Sequence, residues 1–227
     1  MRISLNICDV MKNDRFGIDA FTLKMIAAVT MLIDHAGYIF FPQYVILRII
    51  GRISFPIFAF LIVEGFMHTK DVKKYIFRMI VFALITEIPF DLAFYGDLYW
   101  GHQNVLITFA LALVALYIDR QYGRKVGIAA AFVLAIVAEF IGCDYGMFGV
   151  MIVMIFYWNY ERFYNKLIFG TASLTLLVTS YQIFDVLAMI PIGLYNGKKG
   201  IGFRYFFYGF YPGHLLVLYL IHMVIGG

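Results

Sequence analysis

Met31-Leu32-Ile33-Asp34-His35-Ala36-Gly37-Tyr38 sets an acid and a histidine side by side inside an apolar run that otherwise reads as a membrane-spanning helix. A second anomaly follows at Leu47-Arg48-Ile49-Ile50-Gly51-Arg52-Ile53-Ser54-Phe55-Pro56, where two arginines interrupt another apolar run. An ionised side chain at the centre of a spanning helix costs at least ~2.5–3.5 kcal/mol on the insertion scale. Two such breaches so close together point to a buried polar site, and the rest of the chain is read around them.

The surroundings are those of a membrane protein. Of 227 residues, 63% are hydrophobic and only 14% charged, with a mean hydropathy of +0.85. Soluble domains carry roughly 25% charged residues, so the expected fold class is all-α and polytopic. The 24 Phe and 17 Tyr suit contact with lipid and with the membrane interface. Asp9, Lys12, Asp14 and Arg15 break up any apolar signal-peptide core, so residues 1–18 are expected to form a short cytoplasmic tail. A net charge of +4 carries no implication of nucleic acid.

At ~20 apolar residues per crossing, about nine spans are expected, at 20–41, 44–67, 73–95, 103–119, 125–142, 145–160, 166–181, 183–195 and 205–225. Tyr181, Gln182 and Asp185 interrupt the seventh and eighth, and Pro191 shortens the eighth, so a re-entrant segment there and totals of eight or ten stay open. Every basic residue except Arg48 and Arg52 falls at alternate loops, while the loops near 42–43, 96–102 and 143–144 carry none. By the positive-inside rule the N-terminus is cytoplasmic and the chain is a multi-pass protein of the cell (cytoplasmic) membrane. Cys8 and Cys143 then lie on opposite faces and do not pair, and no metal-ligand cluster is present. No linker or repeat divides residues 1–227, so a single domain is expected.

Helical rise turns position into depth. His35 lies roughly 9 Å, Arg52 roughly 12 Å and Glu87 roughly 10 Å below the outer ends of their spans, at 1.5 Å per residue. Arg48 is one turn from Arg52, Asp91 one turn from Glu87, and Asn104 and Thr108 repeat the spacing at the start of the fourth span. These groups converge in depth, with helix rotation unspecified. A second set at the inner face comprises Glu64 and His68, and Lys73, Lys74, Tyr75 and Arg78 at the opening of the third span. Positive charge at a helix N-terminus suits phosphate.

Each group has a plainer reading. Asp34 and His35 could form an interhelical polar clamp, Arg48 and Arg52 could neutralise Glu87 and Asp91, and the lysines could be ordinary membrane anchors. No phosphate-binding glycine loop or serine nucleophile motif is present, which leaves histidine-centred transfer chemistry or ion-coupled transport.

The sequence resembles the TraX family of membrane proteins, named after the conjugative pilin acetylase. The resemblance rests on Leu23-Lys24-Met25-Ile26-Ala27 through Asp34-His35, on Leu47 to Pro56, and on Val63-Glu64-Gly65-Phe66. It continues through Tyr75-Ile76-Phe77-Arg78, Thr86-Glu87-Ile88-Pro89, Asn104-Val105-Leu106-Ile107-Thr108 and Phe210-Tyr211-Pro212-Gly213-His214-Leu215. The first three spans also resemble, more distantly, the acyltransferase-three membrane family, with Glu64 where that family's motif has serine. The resemblance implies transfer of an acetyl group from cytoplasmic acetyl-CoA, the donor substrate, to an acceptor at or beyond the bilayer, with no metal. In that reading His35 is general base or acyl carrier, Arg52 stabilises the oxyanion, Glu87 orients and charge-balances, and Asp34 supports. Arg78, Lys74, Tyr75 and Glu64 would meet the donor, and Arg48, Asp91, Asn104 and Thr108 would be substrate-facing or structural. The acceptor, whether a pilin-like peptide, an envelope sugar or a lipid, is not specified. A proton-coupled transporter or flippase with a His/Arg/Glu relay is the alternative, and a scaffold without chemistry a third.

Overall fold

A computed structural model describes residues 17–162, 165, 169–172, 180–202 and 204–226. Most of the expected tail, Cys8 and most of the expected span at 166–181 lie outside the described residues. Helix α1 (Ala20–Phe40) begins at Asp19, whose carboxylate accepts the Thr22 amide at 2.8 Å. Its buried stripe runs Leu23, Ala27, Met31, Asp34, Gly37, the three-to-four spacing of a single helix face. That periodicity puts Asp34 on the core side.

The expected span at 44–67 is not one continuous helix. Helix α2 (Val45–Gly51) stops, Arg52 and Ile53 form a turn, and α3 (Ser54–His68) resumes. Pro56 in the first turn of α3 has no N–H to offer the carbonyl of Arg52, so the ladder is interrupted there. Helix α4 (Val72–Tyr95) is capped by Asp71, runs unbroken through Pro89 and closes at Gly96 with φ 76°. Helices α5 (Val105–Tyr122), α6 (Arg124–Phe140) and α7 (Gly146–Trp158) follow. A 3₁₀ stretch, Ser180–Ala188, leads into the five-residue α8 (Met189–Gly193), and α9 (Arg204–Gly226) ends the described chain.

Among the described residues there is no strand, only isolated bridges. Among the described residues four stretches are long and apolar enough to cross a bilayer: Ala20–Phe40, Val45–His68, Val105–Tyr122 and Phe206–Ile225. The protein is a helical membrane protein. Helix α4, about 36 Å long at 1.5 Å per residue, carries Lys73, Lys74, Arg78, Glu87 and Asp91 and is less apolar. The expected eighth span is this 3₁₀ stretch with α8, a short apolar element.

The core lies between α3, α5 and α7, where Phe60, Phe66, Leu113, Leu116, Ile152 and Phe156 are fully buried. Helix α6 approaches through Gly127, Ala131, Ala135 and Ala138, small residues that let backbones close without a hydrophobic driving force from lipid. Loops are tied at both ends. At the end where α1 and α4 start, hereafter the basic end, Ile18 N donates to Leu194 O at 3.0 Å and Asn196 N to Ile18 O at 2.9 Å. At the opposite end Gln103 N donates to Gly142 O at 2.9 Å and Asp144 N to Gln103 O at 2.8 Å. The second pairing holds the Asp144-Tyr145 turn beside α5.

Candidate active site around Asp34, His35 and two arginines

Asp34 sits under both arginines. Its Oδ2 is 2.9 Å from Arg48 Nη1 and 3.1 Å from Arg52 Nη2, and Arg52 Nη2 also reaches Oδ1 at 3.3 Å. Gly51 makes this possible, since a Cβ there would collide with the Asp34 carboxylate. Spacing alone allows Arg48 and Arg52 to neutralise Glu87 and Asp91; in the structure Asp34 pairs with both instead. Depth along each helix is similar for all of them, but rotation about the helix axis decides the partner.

One carboxylate is hydrogen-bonded by two guanidiniums, and Asp144 lies on the wall of the same cavity. The donors available differ. Arg52 donates from all three of its nitrogens, to Asp34, to the Arg48 carbonyl at 3.4 Å and to Tyr145 Oη at 3.3 Å. Arg48 donates only through Nη1, to Asp34 Oδ2 and O, which leaves Nε and Nη2 without a hydrogen bond among the described residues.

His35 turns away from Asp34. Its Nδ1 is 2.8 Å from His214 Nε2 on α9, and His214 Nδ1 is 2.8 Å from the Phe210 carbonyl. A carbonyl only accepts, so His214 carries its proton on Nδ1 and offers the Nε2 lone pair. His35 must then donate from Nδ1, which leaves Nε2 of His35 as a free base. The ring centroids are 5.0 Å apart, the separation expected when a 2.8 Å bond lies in both ring planes. Phe94 packs edge-on against His35 at 5.1 Å. In the sequence His214 stands out only as part of the closing motif; the signal that could have found it is the one that marks His35, a histidine inside an apolar helix.

Asp34, His35, Arg48 and Arg52 line a cavity of about 200 Å³, walled by aromatic side chains such as Phe55, Phe90, Tyr95 and Tyr211. A second cavity of about 360 Å³ adjoins it, with Tyr145 and His102 in both walls. Tyr145 has φ 62°, alone in the left-handed region among the described non-glycine residues, at a cost of roughly 1–2 kcal/mol. Its ring stacks on Phe55 with centroids 3.6 Å apart. Asp185 lies fully buried with neither carboxylate oxygen hydrogen-bonded among the described residues.

Glu87, Asp91, Asn104 and Thr108 stand behind this layer. Glu87 Oε2 accepts from Asn104 Nδ2 and, at 3.3 Å, from Asn104 N, while Asp91 Oδ2 accepts from Tyr99 N at 3.0 Å. Both acids on α4 thus clamp the loop into α5. Thr108 donates to the Asp144 carbonyl, and the loop itself bridges to the Asp144-Tyr145 turn. Glu87 does not line either cavity.

A profile of the TraX protein family matches residues 20–222. This chain belongs to the TraX family. It is 34% identical, over 88% of its own length and 93% of the relative's, to a probable fimbrial assembly protein FimC of serogroup H1 in Dichelobacter nodosus. It is 29% identical to an uncharacterized protein of Rickettsia prowazekii, over 77% of this chain and 68% of that one. Protein TraX of Escherichia coli is 28% identical over 61% of this chain and 55% of its own. No solved structure matches significantly.

The remaining expected residues of this TraX-family protein lie at the basic end. Tyr75 is buried, with its hydroxyl against Gly65, where a Cβ would stand 2.8 Å away. The Arg78 guanidinium lies 6.0 Å from the Tyr75 ring centroid, and its Nε is buried with no partner among the described residues. Glu64 accepts from the Tyr160 hydroxyl at 3.1 Å and pairs with His68 at 3.2 Å. Lys74 is exposed and pairs with Asp71 at 3.4 Å. Sixteen residues of α4 separate Arg78 from Phe94, the neighbour of His35, which is about 24 Å. The structure therefore brings Asp34, His35, Arg48 and Arg52 together and leaves Arg78, Lys74, Tyr75 and Glu64 at the other end.

Proposed function

We propose that this protein is a multi-pass acetyltransferase of the cytoplasmic membrane that moves an acetyl group from acetyl-CoA to an acceptor at or across the bilayer. The observation that carries the reading is that His35, its Nε2 left free by the bond to His214, lines the same cavity as Arg48. His35 takes the proton from the acceptor's amine or hydroxyl as that atom attacks the thioester carbonyl carbon. The carbonyl oxygen becomes negative beside the free N–H donors of Arg48. The C–S bond then breaks, and the CoA thiolate receives the proton from His35. Arg48, with more free donors than Arg52, is the better oxyanion partner of the two. Asp34 aligns both. Glu87 acts through the loop it clamps.

A cavity of about 200 Å³ holds an acetyl thioester and the reacting end of an acceptor, not a whole nucleotide. The donor's phosphates belong at the basic end near Arg78 and Lys74, with the basic loops facing the cytoplasm, so the donor spans about 24 Å of the bundle at 1.5 Å rise per residue. The name of the Dichelobacter relative favours a fimbrial or pilin-like subunit as acceptor over an envelope sugar or lipid.

Protein purified in detergent and given acetyl-CoA is expected to release free thiol slowly, with water as acceptor. His35→Ala is expected to abolish release and leave CoA binding by calorimetry intact, whereas Arg78→Ala is expected to weaken that binding. Full turnover in His35→Ala overturns the reading. Absence of saturable CoA binding, together with solute flux driven by a pH gradient, would replace it with proton-coupled transport.

A further inference from the structure

Tyr145 sits in the wall shared by both cavities, and its hydroxyl is used on one side only. Arg52 Nη1 donates to Tyr145 Oη at 3.3 Å, so the oxygen acts as an acceptor there. Its own O–H has no acceptor among the described residues. A phenol that accepts from a guanidinium becomes a stronger donor, because the neighbouring positive charge draws electron density from the oxygen. The hydroxyl is also placed with unusual firmness. The ring lies flat on Phe55, inclined by 8°, and the backbone is held in the left-handed region at the start of α7. Thr108, on the Asp144 carbonyl, and Gln103, on the Asp144 amide, fix the residue before it. An observed backbone outlier held by its surroundings and facing a cavity is grounds for a functional role.

We infer that the Tyr145 hydroxyl is a catalytic hydrogen-bond donor to the carbonyl oxygen of the acyl group, acting beside Arg48. This rests on the acyl-transfer reading given above. When the acceptor attacks the carbonyl carbon, the π electrons of C=O move to oxygen, and Tyr145 O–H and Arg48 N–H both point charge at that atom. On collapse the oxygen returns to a carbonyl, the C–S bond breaks, and Tyr145 keeps its proton throughout. With water as acceptor the products are acetate and CoA thiol.

Tyr145→Phe keeps the stack on Phe55 and the backbone, and removes only the hydroxyl. Its kcat for thiol release from acetyl-CoA is expected to fall by about 10²–10³-fold, with KM, CoA affinity and Tm unchanged. Tyr145→3-fluorotyrosine, which restores a hydroxyl, is expected to recover turnover. Full kcat in Tyr145→Phe alongside an inactive His35→Ala overturns the role of Tyr145 and leaves the acyl-transfer reading standing. A fall in Tm or CoA affinity equal to the fall in kcat also overturns it, because the hydroxyl then serves only to hold Arg52. Full activity in His35→Ala removes both.

Discussion

Charges at the two ends of this bundle are paired in opposite ways. Around Asp34 the partners come from different helices, and their side chains are 10% to 30% exposed. At the basic end Lys74–Asp71 and His68–Glu64 are pairs one turn apart on a single stretch of chain, and the Lys74 and His68 side chains are more than two-thirds exposed. Exposed pairs of this kind gain little, because water and salt screen them and long side chains lose freedom. Buried pairs carry a desolvation cost that their mutual attraction returns only with good geometry and extra hydrogen bonds. The basic end is thus explained by membrane anchoring and attraction of a phosphate-bearing donor. The Asp34 end asks for a chemical reason, and unused guanidinium donors on Arg48 beside a free imidazole base supply one.

The largest effect should come from removing the carboxylate that holds the two arginines. Asp34→Ala leaves two guanidiniums partly buried without their counter-ion, and about 3–5 kcal/mol of stability should be lost. Denaturant unfolding in detergent, set beside Lys74→Ala as the exposed control, checks this. Equal and small losses in both would break the contrast between the ends.

Much of this contrast is legible in the order of residues alone, and what is not has a physical origin. Apolar runs of about twenty residues mark α1, the Val45–His68 pair and α5, and the spacing Leu23, Ala27, Met31, Asp34 already turns the acid toward the core. Depth follows from counting residues. Rotation does not, so Glu87, level with Arg52, cannot be told from a partner of Arg52 by spacing, and in the structure it faces Asn104. Pro56 signals the break at Arg52, although the helix stops several residues earlier than the proline itself. Tyr145 leaves no trace among 17 tyrosines, because a left-handed backbone at a non-glycine residue is imposed by tertiary packing.

A middle-sized effect is expected at His214, which touches neither end's charges. Without it the Nδ1–H of His35 loses its acceptor, the two tautomers mix, and only part of the population presents a free Nε2. His214→Ala should lower kcat by about 10–100-fold, with little change in KM. His214→Gln offers an amide oxygen to the same N–H and should recover part of the loss. If His214→Gln is as poor as His214→Ala, His214 does not act by fixing the tautomer of His35, even though the site survives.

The smallest effect belongs to the basic end and concerns pH. Asp71 accepts the Lys74 amide at 3.0 Å as cap of α4, and Asp19 accepts the Thr22 amide at 2.8 Å as cap of α1. Those backbone bonds hold both carboxyls below the usual carboxylate range. A group with a lower pKa when folded releases its proton more readily in the native state. Its stabilising contribution is therefore complete above the unfolded value, near 3.8, and disappears as pH falls through the folded value. Asn at either position also caps a helix but does not titrate. Asp71→Asn and Asp19→Asn should thus unfold at slightly lower temperature than the parent at pH 7 and at the same temperature once both carboxyls are protonated. Thermal scans in detergent from pH 7 down to about pH 2, where both carboxyls take up their protons, measure that convergence. A gap that stays constant over this range would mean that the caps act by shape alone, and that the exposed carboxylates contribute no charge-dependent stability where the chain enters α1 and α4.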